Sequence, residues 1–140
     1  MTLWNGLRRS PIGAKKRAMV RTEEGSYPTF EHLLRLHRLD FWHNYNAQRS
    51  QPGWPDYTIF GVMWIAFVEL KAVQVSGRVG KLSVAQERYR KVIETAGGIY
   101  RVFTLPTDWT ALEEWLIGHT GIEVRGWAAR QTAASGLVAS

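Results

Sequence analysis

The sequence predicts an α/β fold, a mixed central β-sheet flanked by helices, in the order α-β-β-β-α-β-α. Three observations carry this expectation. Segments 56–60, 63–71 and 99–105 carry apolar residues over strand length and are bounded by Gly, Pro or Asp, and 41–47 reads as a further short strand. Segments 28–39 and 109–117 instead space their apolar residues as one face of a helix. Between the last two strands, Ser83 supplies an N-cap and Gly97-Gly98 a stop, which brackets a third helix.

The elements follow in order. Residues 1–26 read as an irregular arm, interrupted by Gly6, Pro11, Gly13 and Gly25 and made basic by Arg8, Arg9, Lys15, Lys16, Arg17 and Arg21. Such an arm is either a solvated tail or an extension that lies along phosphates. Pro28 suits a first helical turn. Phe30, Leu33, Leu34 and Leu36 then give an apolar stripe to about Leu39. His32 and His37 are five apart, on different faces, which argues against a shared metal and makes both surface or groove residues.

Phe41 to Ala47 reads as a short strand, followed by a loop with Pro52, Gly53 and Pro55. Asp56 to Phe60 is the next strand, Gly61 the turn, and Met63 to Lys71 a strand apolar on both faces through Val68, the mark of a central, fully buried position. Gly77 and Gly80 predict a mobile loop. Ser83 opens a helix with Gln86 or Glu87 in its first turn, running to about Ala96. Ile99 to Leu105 is a strand. Thr107 or Asp108 caps a helix through Ile117, with Trp109, Leu112, Trp115 and Leu116 on its apolar face. From Gly118 a weak strand or loop and a frayed tail are expected. Of the seven tryptophans, Trp64, Trp109 and Trp115 belong to the core. Trp54, in the loop with Pro52, Gly53 and Pro55, packs beneath that loop or stacks on a sugar or base. Trp4 and Trp127 lie outside the core, where a partner subunit could cover them.

A chain of 140 residues suits one domain. The absence of cysteine excludes disulfides and thiolate chemistry. The longest apolar run, 59–68, is shorter than the roughly 20 residues a membrane helix needs. A soluble, cytoplasmic protein with no membrane partner is therefore expected. The formal charge of +6 favours a polyanion such as nucleic acid.

The polar residues that interrupt the strands carry the chemistry. Asp56 opens one strand, while Glu69 and Lys71, at i and i+2, share one face at the end of the next. A tight turn joins the two strands, so Asp56 and Glu69 meet at one end of a hairpin. Two carboxylates there repel unless a cation joins them, and oxygen ligands suit Mg²⁺ or Mn²⁺. Lys71 can orient or deprotonate a water, or stabilise charge on a phosphorane-like transition state. Gln86 can bind that water or a phosphate oxygen. His43 is near enough to the loop to approach a phosphate. A Glu-x-Lys alone also occurs as the solvated exit of a buried strand, so the weight lies on the whole arrangement.

Gly53-Trp54-Pro55-Asp56, then Glu69-Leu70-Lys71, then Gly80-Lys81-Leu82-Ser83 with Gln86 resemble the motifs of the virus-type replication-repair nuclease (VRR-NUC) domain of the PD-(D/E)XK nuclease superfamily. Arg49-Ser50 and the Ala96-Gly97-Gly98 helix end are also similar to the family. The resemblance implies an αβββαβ restriction-endonuclease-like core over residues 27–120, with 1–26 as a basic arm and 121–140 as a C-terminal extension. It implies a metal held by Asp56, Glu69 and the Leu70 backbone carbonyl, with catalysis by these two acids, Lys71 and Gln86. A helix-one glutamate usual in the family would be Glu31, with Glu24 and Glu23 as alternatives. DNA contacts would come from Arg49, Ser50, Lys15, Lys16 and Arg17, and from Arg78 and Lys81 unless their loop is only an excursion.

Small stand-alone members resemble phage-encoded homodimers that cut branched DNA, including four-way Holliday junctions. The implied function is a structure-selective DNA endonuclease of DNA repair, acting in a host cytoplasm if phage-encoded. The alternatives are a less selective flap, single-strand or duplex nuclease, and a catalytically silent DNA-binding module.

Overall fold

A computed structural model describes residues 23–45 and 51–134. Among these the elements are α1 (Glu23–Leu36), β1 (Asp40–His43), β2 (Tyr57–Gly61), β3 (Trp64–Ala72), α2 (Val84–Thr95), β4 (Ile99–Leu105), α3 (Trp109–Thr120) and α4 (Trp127–Ala134). The four strands form one mixed sheet in the order β1-β2-β3-β4. β1, β2 and β3 pair antiparallel, and β4 runs parallel to β3, with α2 as the crossover that a parallel pair requires. The expected α/β class and mixed sheet are therefore present.

α1 begins five residues before Pro28 and carries that proline inside it. Packing outweighs the lost backbone donor: Tyr27 lies edge-on to His43 and Tyr57, and Phe30, Leu33 and Leu34 are fully buried. The helix stops at Leu36 rather than near Leu39. Arg38 takes a left-handed φ of 58°, and the Leu39 N–H returns to the Leu34 carbonyl at 3.0 Å, which closes the end as a Schellman turn. This face of α1 lies in its own core and is not available to a second subunit.

β1 ends at His43, short of the expected Ala47. Gly61 is not the hairpin turn. It stays in β2 opposite Trp64, where a Cβ would strike the Trp64 indole, and Val62 and Met63 make the turn, with Met63 at φ 66°. β3 is central by pairing but not buried on both faces. Its Ala66, Val68 and Leu70 face the core, whereas Ile65 on the other face is 48% exposed. α2 covers only part of that outer face, and Trp42 and Phe60 are exposed there too.

The loop after β3 closes on itself through a Val73–Val79 bridge and a Gln74 N–H to Arg78 carbonyl bond of 2.9 Å. α3 runs to Thr120. Its N-cap, Asp108, turns its carboxylate back to the Thr104 N–H (2.7 Å) instead of into the helix. The segment expected as loop and frayed tail contains α4, packed against α1 and α3. The Glu113 carboxylate accepts from the Gly126 and Ala128 N–H groups at 2.6 and 2.5 Å, which anchors the start of that helix. Trp127 is half-buried, packed against this chain's own core and edge-on to His32. Trp109 is buried, with Trp64 and Trp115 packed against the same cluster.

His37 is buried rather than on the surface. Thr120 Oγ1 donates to the Leu116 carbonyl, so the 2.6 Å contact makes His37 Nδ1 the donor to Thr120. Trp4 lies outside the described residues. Among the described residues no helix is long and apolar enough to cross a membrane.

Candidate active site

Strand alternation sends Val68 and Leu70 into the core and Glu69 and Lys71 to the α2 side. Glu69 is 3% exposed, a charge that needs partners at that depth. α2 supplies them. Ser83 caps the helix and its Oγ accepts from the Gln86 N–H at 3.1 Å. The Gln86 side chain completes the capping box by accepting from the Ser83 N–H at 2.8 Å. The same amide reaches the sheet: Nε2 donates to Glu69 Oε1 at 2.6 Å, and Oε1 accepts from Lys71 Nζ at 3.0 Å. Lys71 Nζ stands 3.5 Å from Glu69 Oε1. Each end of the amide meets the charge that suits it. Gln86 is thus a strut between the acid and the base, with Oε1 and one Nε2 hydrogen engaged within the protein.

Asp56 joins from the loop before β2. β2–β3 pairing ends at Tyr57 opposite Val68, and the next outward N–H, that of Leu70, donates to Asp56 Oδ2 at 2.8 Å. In a strand the N–H and C=O of one residue point to the same side, so the Leu70 carbonyl faces the Asp56 end as well. The loop is held against α2 by Gly53, whose φ is 88° and whose Cβ position lies 2.4 Å from the Ala85 carbonyl carbon. Trp54 packs edge-on to Phe67 and Tyr89, between sheet and helix, as a support under the loop.

Glu31 does not join this group. Tyr57 follows Asp56 on β2 and points to the opposite face, and Glu31 meets it there, accepting its hydroxyl at 2.7 Å. His43 Nδ1 is 3.0 Å from the same carboxylate, and the Tyr45 hydroxyl 3.3 Å. Burial lowers the His43 pKa, against the opposing pull of Glu31, and pushes the Tyr57 phenol far up. His43 is therefore a buried partner of Glu31, stacked on Tyr57, and is turned away from any phosphate. The α1 side chain that reaches Asp56 is Tyr27, whose hydroxyl lies 3.4 Å from Oδ1. The side chains of Glu23 and Glu24 lie outside the described residues, as do Lys15, Lys16, Arg17, Arg49 and Ser50. Arg78 and Lys81 are exposed on the loop between β3 and α2.

Tyr100 escaped the sequence reading. It sits on β4 opposite Phe67, on the Glu69 side of the sheet, and is 3% exposed. Its only sequence signal is a polar-tipped ring in an apolar strand.

Among the described residues no group of three or more His, Cys, Asp and Glu side chains gathers to hold a metal. Two carboxylates and one carbonyl remain a fitting donor set for Mg²⁺, which keeps several of its waters and takes few protein ligands. No protein-family model, curated protein or solved structure matches this chain.

Proposed function

We propose that this protein is a Mg²⁺- or Mn²⁺-dependent DNA endonuclease that hydrolyses phosphodiester bonds in branched DNA, such as a four-way junction. The observation that supports it most is the meeting of Asp56, Glu69, Lys71 and Gln86 at one end of β3. These are the residues that carry the likeness to the PD-(D/E)XK and VRR-NUC motifs. Asp56, Glu69 and the Leu70 carbonyl are the donors that would hold the cation. A divalent cation there would polarise the scissile phosphate and acidify a bound water.

The chain's own groups do the rest. Gln86 bonds both Lys71 and Glu69, whose Nζ and Oε1 form an ion pair at 3.5 Å. The Lys71 side chain is only 12% exposed, where a charge acts strongly on charge developing at a phosphoryl oxygen. Arg78, Lys81 and the net charge of +6 suit contact with the DNA backbone. One chain supplies one such centre, so symmetric cutting of a junction calls for a two-fold homodimer. The cytoplasm would be its place of action, a host cytoplasm if it is phage-encoded.

The test is cleavage of a labelled four-way junction and its matched linear duplex with Mg²⁺, Mn²⁺ or EDTA, comparing the parent with Lys71→Ala. The expected result is metal-dependent cutting of the junction, reduced about 10²-fold or more in the variant, the scale of losing one transition-state charge contact. Equal cutting of both DNAs would keep the nuclease and discard junction selectivity. No cutting by the parent with either metal would overturn the enzyme and leave a DNA-binding module.

A further inference from the structure

The phenol of Tyr100 is buried, and its hydroxyl has no hydrogen-bond partner among the described residues. A buried hydroxyl without a partner destabilises a protein, and phenylalanine would fill the same ring volume without that cost. The position of the hydroxyl is informative. Tyr100 pairs with Phe67 and Val102 with Glu69, so the Tyr100 ring shares the sheet face that carries Glu69 and Lys71. It therefore stands beside the carboxylate end of the site, on a strand none of the motif residues occupies. The acids Glu69 and Asp56, and Glu87 and Arg90 of α2, are the charges that act on it. Burial first, and then these acids, raise its pKa, so the group is a neutral phenol at ordinary pH.

We propose that Tyr100 is a positioning residue of the cation site, its hydroxyl oxygen accepting a hydrogen bond from a water ligand of the cation held by Asp56 and Glu69. This rests on the nuclease reading above and extends it. A Mg²⁺-type ion keeps inner-sphere waters whose hydrogens point outward and seek acceptors. Glu69 Oε1 already accepts from Gln86, and Asp56 Oδ2 from Leu70. An uncommitted phenol oxygen at this wall gives such a water a fixed direction, as outer-shell partners do at other metal sites.

Titration calorimetry with MnCl₂ on the parent, Tyr100→Phe and Glu69→Gln, beside thermal melts in EDTA, tests it without any substrate. The expected result is Mn²⁺ binding by the parent, lost in Glu69→Gln and weakened about three- to tenfold in Tyr100→Phe, the span of one hydrogen bond. In EDTA the Tyr100→Phe protein should melt at the parental temperature or above it. Equal Mn²⁺ affinity of parent and Tyr100→Phe would overturn the inference and leave the nuclease reading standing. A Tyr100→Phe protein that melts lower in EDTA would also overturn it, because the hydroxyl would then have a partner in the metal-free fold. Absence of Mn²⁺ binding by the parent would overturn the metal reading itself, and this inference with it.

Discussion

Replacing Gln86 with alanine removes three hydrogen bonds at once: from the Ser83 N–H, from Lys71 Nζ and to Glu69 Oε1. The first is an exposed cap contact, contributing about 0.5–1 kcal/mol. The other two involve charged groups in a half-buried setting, about 1.5 kcal/mol each at the low end of such bonds. The better helix propensity of alanine returns a few tenths of a kcal/mol. The sum is a loss of about 3 kcal/mol, or about 10 °C in Tm for a domain of this size. Ser83→Ala is the matched control, because it removes only the hydroxyl that caps the Gln86 N–H, about 1 kcal/mol. Urea denaturation followed by circular dichroism measures both. If Gln86→Ala and Ser83→Ala lie within about 0.5 kcal/mol of each other, the amide does not hold acid and base in place, and Gln86 is not a strut.

Two further outcomes follow. Glu113→Ala should lower stability by about 3 kcal/mol, since one buried and one half-buried N–H group lose a charged acceptor; hydrogen exchange should show the Gly126 and Ala128 amides unprotected, and continued protection of Ala128 would contradict the anchoring role. Burial lowers the pKa of both His37 and His43 below the ordinary value, so the unfolded chain takes up protons first as pH falls. Their contribution is complete above about pH 6.5 and is lost as pH drops from there through the folded values. The urea midpoint should therefore be lower at pH 5.5 than at pH 7.5, and a midpoint unchanged over that range would refute the burial of these rings.

The strands and their order were legible because β2, β3 and β4 carry apolar runs too long for turns and too short for helices, with Gly53, Gly97 and Gly98 marking their limits. Three of the four site side chains could be brought together on alternation and pairing alone, since Asp56, Glu69 and Lys71 belong to one hairpin. Gln86 was placed by its cap motif, but not its engagement with both charges, which depends on how α2 lies on the sheet. Glu31 was misdirected for a reason of faces: Tyr57 and Asp56 are neighbours in sequence and opposites in space, and periodicity along α1 does not say which of them it will meet. α4 was invisible because its buried positions are Ala128 and Thr132, too small and too polar to form a stripe, and its docking depends on a carboxylate thirteen residues upstream in α3. The exposure of Ile65 on the outer face of β3 was missed because an apolar run reports burial of the strand on average, not how far a helix extends across it.

α2 is at once the crossover that lets β4 pair with β3 and the element that carries Gln86 to Glu69. The order in which the chain can be built follows. The β2–β3 hairpin can form early, from neighbours in sequence, and it already contains Asp56, Glu69 and Lys71. Until the parallel pair closes, joining Ala66 to Ile99 across the whole crossover, α2 is held to the hairpin only by the Gln86 bonds and by the packing of Trp54 and Gly53 against Tyr89 and Ala85. A nascent or truncated chain ending before β4 would hold every motif residue but would lack the strand pairing that closes the crossover over them. The final setting of α2 over the hairpin is in this sense a late event in folding, completed by a strand that contributes none of the motif residues.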